Sequence, residues 1–173
     1  PLMDEIKLKK TSLSSSGKVA FLPGSRRSEI SRLMPVYREL AKKIEATRLL
    51  VVPPFLLDKV GEIYGDVSDF DIVSNTPEAL YESDFAFVCS GTATLEAALI
   101  GTPFVLAYKA KAIDVFIARK FVKIKHAGLA NIMFDFMGIE PLHEEFIQGF
   151  ATAENLLRAY EGCDRQKFLK GCD

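Results

Sequence analysis

The chain has 173 residues, of which 49% are hydrophobic and 26% charged, and its formal net charge is −1. This length and balance favour one globular domain with a proper core and exclude wholesale disorder, and the near-neutral charge gives no reason to expect a nucleic-acid partner. The three cysteines (Cys89, Cys163 and Cys172) form no CxxC pair, which argues against a zinc site or a disulfide framework and favours a reducing cytosol.

The first 16 residues, PLMDEIKLKKTSLSSS, are polar, Ser-rich and without hydrophobic period, which predicts an interdomain linker before a domain formed by residues 17–173. No run reaches the roughly 18 apolar residues that span a bilayer, and the N-terminus lacks the apolar core of a signal peptide. The sequence also lacks an initiator Met. We therefore expect a fragment of a longer, cytoplasmic protein.

Apolar strands alternate with helical segments along the rest of the chain. The predicted strands are KVAFL (Lys18–Leu22), RLLVVP (48–53), FDIVS (70–74), DFAFVC (84–89) and PFVLAY (103–108). The first predicted helix is 28–46, with Pro35 either bending it or starting its second part. The helix at 76–83 has Thr76 as N-cap and Pro77 at the first position. The other predicted helices are 55–65, the alanine-rich segment after 90, 113–124 and 153–161. Continuous apolar strands alternating with helices predict a doubly wound parallel α/β sheet, Rossmann-like in general shape.

Two strand-to-helix loops carry unusual chemistry, and doubly wound sheets bind ligands where such loops enter helix N-termini. In the first loop, PGSRRSE, Gly24 lets the backbone approach a ligand and Ser25 offers a hydroxyl. Arg26 and Arg27 place positive charge beside a helix N-terminus that already favours anions. The loop is neither a Walker P-loop nor a GxGxxG fingerprint. The alternative interpretation is a capped helix start with solvated arginines.

The second loop is SGTATLEAAL, residues 90–99. Its backbone N–H groups and the hydroxyls of Ser90, Thr92 and Thr94 are expected to cradle a diphosphate. Glu96 does not fit a capping box, because the residue three positions before it is Ala93. The helix macrodipole alone could retain this carboxylate. The functional interpretation is that Glu96 accepts hydrogen bonds from the vicinal diol of a ribose, so the two loops together suggest a nucleoside diphosphate.

Three motifs in this order and spacing, LPGSRRSEI, SGTATLEAALIGTPFVLAYK and LANIMFDFMG…EEFIQ, resemble the C-terminal half of the lipid-A-disaccharide synthase family. PLMDEI resembles the interdomain segment of that family, so the similarity covers essentially the whole chain. The resemblance implies a GT-B-type inverting glycosyltransferase that joins UDP-2,3-diacylglucosamine to 2,3-diacylglucosamine 1-phosphate and releases UDP. It implies no cofactor and no metal, and a C-terminal Rossmann-like domain that holds the UDP part of the donor.

The resemblance also implies roles for residues at matching positions. Arg26, Asn131 and Gln148 fall on catalytic positions, with Arg26 near the phosphates. Glu96 falls at the ribose, and the segment ending in Tyr108 falls at the uracil. The implied diphosphate-lining residues are Gly24, Ser25, Ser90, Gly91, Thr92, Ala93 and Thr94.

The chain departs from the family pattern in two places. Ala130 stands where the family usually has a proline before the Asn, and GIEPLHEEFIQ spaces its Pro and Gln less regularly. The family's acceptor site and acidic general base lie in the N-terminal half. We therefore expect the missing N-terminal domain to supply them, and the chain alone to bind nucleotide weakly and catalyse nothing.

The other possible metal-binding or catalytic residues are expected to be structural. DFD (69–71) is formally a metal–nucleotide DxD motif, but it begins a strand in which Phe70 is expected to face the core. His126 and His143 are expected at the surface, and Cys89 is expected to be a small buried residue. The segment 109–128 is apolar at helical spacing and rich in positive charge. It is either a core helix with a basic solvent face or a surface helix that meets anionic lipid of the inner membrane.

Other functional classes stay open. The chain also fits the nucleotide-sugar-binding domain of another GT-B transferase or of a UDP-N-acetylglucosamine 2-epimerase, or a non-catalytic nucleotide-binding module. An epimerase needs catalytic carboxylates and histidines around the sugar, and the sequence shows no convincing set. An upstream half with a second Rossmann pattern would favour the transferase, and an unrelated upstream domain would favour the module.

Overall fold

The computed structural model describes residues 8–12, 15–89, 91–109 and 126–172. The strands are β1 (Lys18–Leu22), β2 (Thr47–Val51), β3 (Asp71–Val73), β4 (Phe85–Val88), β5 (Phe104–Tyr108) and β6 (Glu145–Ile147). The helices are α1 (Arg27–Ala41), α2 (Val60–Tyr64), α3 (Thr76–Glu82), α4 (Thr92–Ile100), α5 (Leu129–Met137), α6 (Ala153–Gly162) and α7 (Arg165–Gly171). Short 3-10 helices cover Pro54–Lys59 before α2 and Gln148–Phe150 after β6.

The strands form one parallel sheet in the order β3-β2-β1-β4-β5-β6. This is the strand order of Rossmann-like doubly wound domains, so the predicted fold class is confirmed. The order reverses between β1 and β4, whose ends pair through Leu22 and Val88. The helices that follow these two strands therefore lie on opposite faces of the sheet, and a crevice opens between their N-termini.

Two apolar layers bury the faces of the sheet. On one face α1, α2 and α6 cover an aromatic cluster in which the Phe21 ring lies 5.3 Å from that of Tyr37 and 5.1 Å from that of Phe87. On the other face α3, α4, α5 and α7 cover the alternate residues of the strands. Burying each large apolar side chain contributes about 1.5–3 kcal/mol, so these layers hold the strand ends rigidly in register.

Helix boundaries differ from the sequence prediction where long-range contacts decide them. α1 contains Pro35 as expected but ends at Ala41 instead of near residue 46. The Arg48 guanidinium, from β2, donates to the carbonyls of Ala41 and Ile44 at 3.2 and 3.1 Å, which closes the end of the helix. The N-cap of α3 is Asn75, whose side chain accepts from the N–H of Glu78, so the predicted Thr76 cap is wrong by one position.

The C-terminal part holds elements that the sequence prediction missed. These include β6, which is three residues long, and α5, which is nine residues long. After α6 the chain turns at Asp164, whose side chain accepts from the N–H of Lys167 at 2.9 Å and starts α7. Phe168 of α7 is buried against the sheet. These C-terminal helices therefore belong to the core.

The end of the predicted linker contacts the domain on the side of the sheet where the strands begin. The Lys10 N–H donates to the Ile100 carbonyl at 2.7 Å, and Asp84 accepts from the N–H groups of Ser16 and Gly17 at 2.7 and 2.8 Å. Burial lowers the pKa of Lys10 to about 8, although nearby Asp84 acts in the opposite direction. The boundary at residue 16 stays a prediction.

Candidate functional site

A cavity of about 330 Å³ opens at the carboxyl ends of β1 and β4, where the strand order reverses. The Cys89 N–H donates to the Leu22 carbonyl at 2.8 Å and ties the two strand ends together. Among the predicted nucleotide-site residues that the structure describes, those lining the cavity are Gly24, Ser25, Arg26, Gly91, Thr92, Ala93, Glu96 and Tyr108. The two loops predicted from the sequence therefore meet in one cavity, at the usual ligand position of a doubly wound sheet.

Gly24 shapes the floor of the first loop. Its φ is +95°, a conformation that favours glycine. A Cβ atom at this position would lie 2.8 Å from Oε2 of Glu29 and 3.4 Å from Sγ of Cys89. The backbone conformation therefore favours glycine here, and a larger residue would have to displace the Glu29 carboxylate.

The two arginines of the first loop point in different directions. Arg26 is the N-cap residue of α1, and its exposed side chain lines the cavity with Nη1 3.2 Å from Oε1 of Glu29. Arg27 instead extends along the outside of the helix to Glu62, with Nη2 2.6 Å from Oε1. Only Arg26, of these two, supplies the positive charge that the sequence placed beside the site.

Two helix N-termini face the cavity. Gly91 is the N-cap residue of α4, with φ +116° and no atom within 4 Å of the position a Cβ would take. Among the described residues no side chain caps α1 or α4, whereas Asn75, Thr152 and Asp164 cap α3, α6 and α7. Uncapped N–H groups at two converging helix ends form a favourable site for an anion.

The hydroxyls of the second loop divide between surface and interior. Thr92 is exposed and lines the cavity. Thr94 is fully buried and its Oγ1 donates to the Gly91 carbonyl at 2.9 Å, so the expectation that this hydroxyl faces a phosphate is wrong. The same contact holds the turn that leads into α4. Ser90 lies outside the described residues.

Glu96 lies one turn into α4 and lines the cavity. Its side chain is partly buried, and burial raises the pKa of this carboxyl above its usual value. An ionised carboxylate in such a position gains strongly from hydroxyl donors. Tyr108, at the end of β5, forms another part of the cavity wall.

Asn131 is buried away from the described cavity lining and is fully occupied by structural hydrogen bonds. Its amide donates to the His143 carbonyl and to Oε1 of Glu145, both at 2.9 Å. Its Oδ1 accepts from the N–H groups of Leu142 and His143 at 2.8 and 3.3 Å. The side chain thus ties α5 to the segment before β6, and the catalytic role implied by the resemblance finds no support in this geometry.

Gln148 follows the carboxyl end of β6, on the same side of the sheet as the cavity at the carboxyl ends of β1 and β4. It is not among the described residues that line the cavity. Its φ of +58° is uncommon for a residue other than glycine. Such conformations persist only where the surrounding structure imposes them, and they concentrate at functional sites. Its catalytic role stays a prediction.

The two histidines, Cys89 and Phe70 differ in how deeply they are buried. His143 is buried, with its ring 4.2 Å from that of Phe104, so its expected surface position is wrong. Burial lowers the pKa of His143 below its usual range. His126 is partly exposed, with Nδ1 3.8 Å from Oε1 of Glu145. Cys89 and Phe70 are buried, as predicted.

The described part of the chain offers neither a metal cluster nor a membrane-spanning helix. No group of three or more His, Cys, Asp or Glu side chains in that part is arranged to hold a metal ion. None of its helices has the length and apolarity needed to cross a bilayer. The predicted basic helix at 113–124 lies outside the described residues.

Sequence reasoning missed several residues of the cavity wall, of which Glu29 and Thr76 are polar. Glu29 carried a usable signal, because it stands three positions after Arg26, the spacing at which helical side chains meet. Thr76 carried no such signal, because it lies far along the chain from both loops, at the start of the helix after β3.

The family model described as lipid-A-disaccharide synthetase matches residues 1–163 of the chain. The lipid-A-disaccharide synthase of Campylobacter jejuni (strain RM1221) is 55% identical over 182 residues, which cover 100% of this chain and 50% of that protein. The lipid-A-disaccharide synthase of Helicobacter pylori (strain Shi470) is 46% identical over 185 residues, covering 98% and 51%. The chain thus spans about half the length of the curated relatives it matches.

A solved structure shows the same fold at low sequence identity. The glycosyltransferase SnogD from Streptomyces nogalater aligns with a TM-score of 0.56 and 16% identity, over 94% of this chain and 40% of that one. The likeness is one of fold.

Proposed function

Because the chain belongs to the lipid-A-disaccharide synthetase family, we propose that it is the domain that holds the UDP part of the donor in a GT-B glycosyltransferase of lipid A biosynthesis. The proposed reaction transfers 2,3-diacylglucosamine from UDP-2,3-diacylglucosamine to 2,3-diacylglucosamine 1-phosphate and releases UDP. One observation carries the proposal: two helix N-termini that no described side chain caps converge with Arg26 and Glu96 on a cavity of about 330 Å³.

Each part of the nucleotide has a partner of matching chemistry in this cavity. The N–H groups at the starts of α1 and α4 suit the diphosphate, and Gly24 and Gly91 let the backbone approach it. Glu96 suits the ribose diol, since an ionised carboxylate accepts hydrogen bonds from both hydroxyls. Tyr108 offers an aromatic wall to the uracil.

Arg26 has the chemistry needed when the sugar leaves UDP. Negative charge grows on the diphosphate as the glycosidic bond to it breaks, and the guanidinium stabilises that charge more than it stabilises the ground state. Losing one such electrostatic group costs about 2.7–4 kcal/mol of transition-state stabilisation in other enzymes.

The acceptor site and the general base belong, in this proposal, to the other half of the parent protein. A GT-B reaction takes place between two domains, so the chain alone binds UDP weakly and transfers no sugar. The reaction takes place on the cytoplasmic side, and peripheral contact with the inner membrane is part of the proposal. The basic and apolar composition of residues 109–128 supports that contact.

Disaccharide formation from the two acylated glucosamine substrates tests the proposal. In the parent enzyme, Arg26→Ala is expected to reduce turnover strongly, and Arg27→Ala is the matched control because its side chain pairs with Glu62 outside the cavity. Equal loss in both variants would contradict the assigned position of the diphosphate. Sugar transfer by the 173-residue chain alone would show that the general base is misplaced.

A further inference from the structure

We propose that Glu29 is a positioning residue that holds the Arg26 guanidinium toward the donor diphosphate. This inference rests on the proposed function, because it concerns the same cavity. It gives a role to Glu29, a residue of the LPGSRRSEI motif to which the sequence analysis assigned none.

The ion pair between the two residues is unequal in burial. The Glu29 side chain is 13% exposed, whereas that of Arg26 is 79% exposed. Glu29 lies in the first turn of α1, and its Oε2 occupies the space that a side chain at residue 24 would need, 2.8 Å from that Cβ position. The carboxylate is therefore the fixed partner of the pair, and the arginine is the partner that it orients.

Arg26 has further donors besides the one that contacts Glu29. A guanidinium carries five N–H donors in a planar fork, and the contact to Glu29 uses Nη1 at 3.2 Å. Fixing one edge of the fork leaves another edge to meet phosphate oxygens, which planar guanidinium groups bind in bidentate fashion. An exposed arginine without this contact loses more side-chain freedom when it binds.

A carboxylate in the wall of a diphosphate cavity has an alternative consequence, which is repulsion of the ligand. The start of α1 offsets part of the Glu29 charge, because the helix macrodipole is positive there. Positioning and repulsion predict opposite changes in UDP affinity when the carboxylate is removed. The sign of that change therefore distinguishes them.

The experiment measures UDP affinity by calorimetry and kcat and KM for disaccharide formation, in the parent enzyme. The variants are Glu29→Ala and Glu29→Gln, each made with Arg26 and with Arg26→Ala. Glu62→Gln is the matched control, because it removes the carboxylate that pairs with the neighbouring Arg27 outside the cavity. Thermal unfolding of each variant reports on its fold.

Glu29→Ala is expected to weaken UDP binding roughly tenfold, the scale of a lost hydrogen bond between charged groups. Glu29→Gln, which keeps an acceptor oxygen, is expected to lose less, and Glu62→Gln to leave affinity unchanged. With Arg26→Ala present, Glu29→Ala is expected to cause no further loss. An unchanged or higher affinity of Glu29→Ala, or an equal loss with and without Arg26, would overturn the inference while leaving the proposed function standing. Failure of the wild-type enzyme to prefer UDP over ADP would overturn the proposed function itself.

Discussion

Asn131 and Glu145 are joined by a hydrogen bond of 2.9 Å from the amide nitrogen to Oε1 of the carboxylate. The same carboxylate accepts from the N–H groups of Ala127 and Gly128 at 2.6 and 3.1 Å, at the start of α5. Asn131 therefore holds α5 to β6, the strand that leads into Gln148. Its influence on the enzyme is expected to act through the fold.

Asn131→Ala is expected to lower the free energy of unfolding by about 1–3 kcal/mol for each buried group left without a partner, and to lower turnover together with stability. Denaturant unfolding and the disaccharide assay on the same samples check this. Asn155→Ala is the control, because the Asn155 side-chain amide makes a local, solvent-exposed bond to the Phe150 carbonyl. A variant that unfolds like the wild type but loses turnover would restore a direct catalytic role.

Gly24→Ala is expected to weaken UDP binding, because alanine is strained at φ +95° and its Cβ would displace the Glu29 carboxylate. Calorimetric titration of the variant with UDP measures the loss. Gly61→Ala in α2 is the control, since no atom lies within 4 Å of the added Cβ. Wild-type affinity in Gly24→Ala would show that the ligand does not approach this loop.

Glu96 is expected to make ribose recognition dependent on pH. Its pKa is raised by burial, so protons compete with the ribose diol at pH values above the usual carboxyl range. The advantage of UDP over 2′-deoxy-UDP should therefore shrink as pH falls through that raised pKa. The two ligands share the same phosphate titration, so their affinity ratio isolates the diol.

Glu96→Gln is expected to weaken UDP binding by about 1–2 kcal/mol, the scale of hydrogen bonds to a charged group, and to flatten this pH profile. If the variant and the deoxy ligand lower affinity additively, the carboxylate and the diol do not meet.

His143 is expected to contribute to acid lability. Its folded-state pKa is lowered by burial, so between that pKa and the usual value the unfolded chain binds more protons. Stability therefore rises with pH across this window and is lost as pH falls below about 6.5, the ordinary histidine pKa. Urea unfolding at pH 7 and pH 5 should show a larger loss for the wild type than for His143→Leu. Equal losses of stability in the two proteins would mean that titration of other groups causes the acid lability.

Strands β1, β2, β4 and β5 were predictable because each contains a continuous apolar run that is buried in the sheet. The two loops of the cavity were predictable because their Gly, Ser, Thr and Arg residues are adjacent in sequence and follow strands. β6 was not predictable, because three residues carry too little pattern.

Some side-chain directions depended on tertiary contacts. The burial of His143 follows from its packing on Phe104. The outward direction of Arg27 follows from Glu62 in a distant helix. None of these partners is visible from local sequence, so residue types predicted the site while their orientations required the fold.

Titration calorimetry of the chain with UDP, ADP and NAD shows whether a uridine nucleotide fills the cavity between α1 and α4. UDP is expected to bind more tightly than either adenine nucleotide, and Arg26→Ala is expected to weaken UDP binding whereas Arg27→Ala is not. Equal or tighter binding of ADP or NAD would show that the cavity is not a uridine nucleotide site.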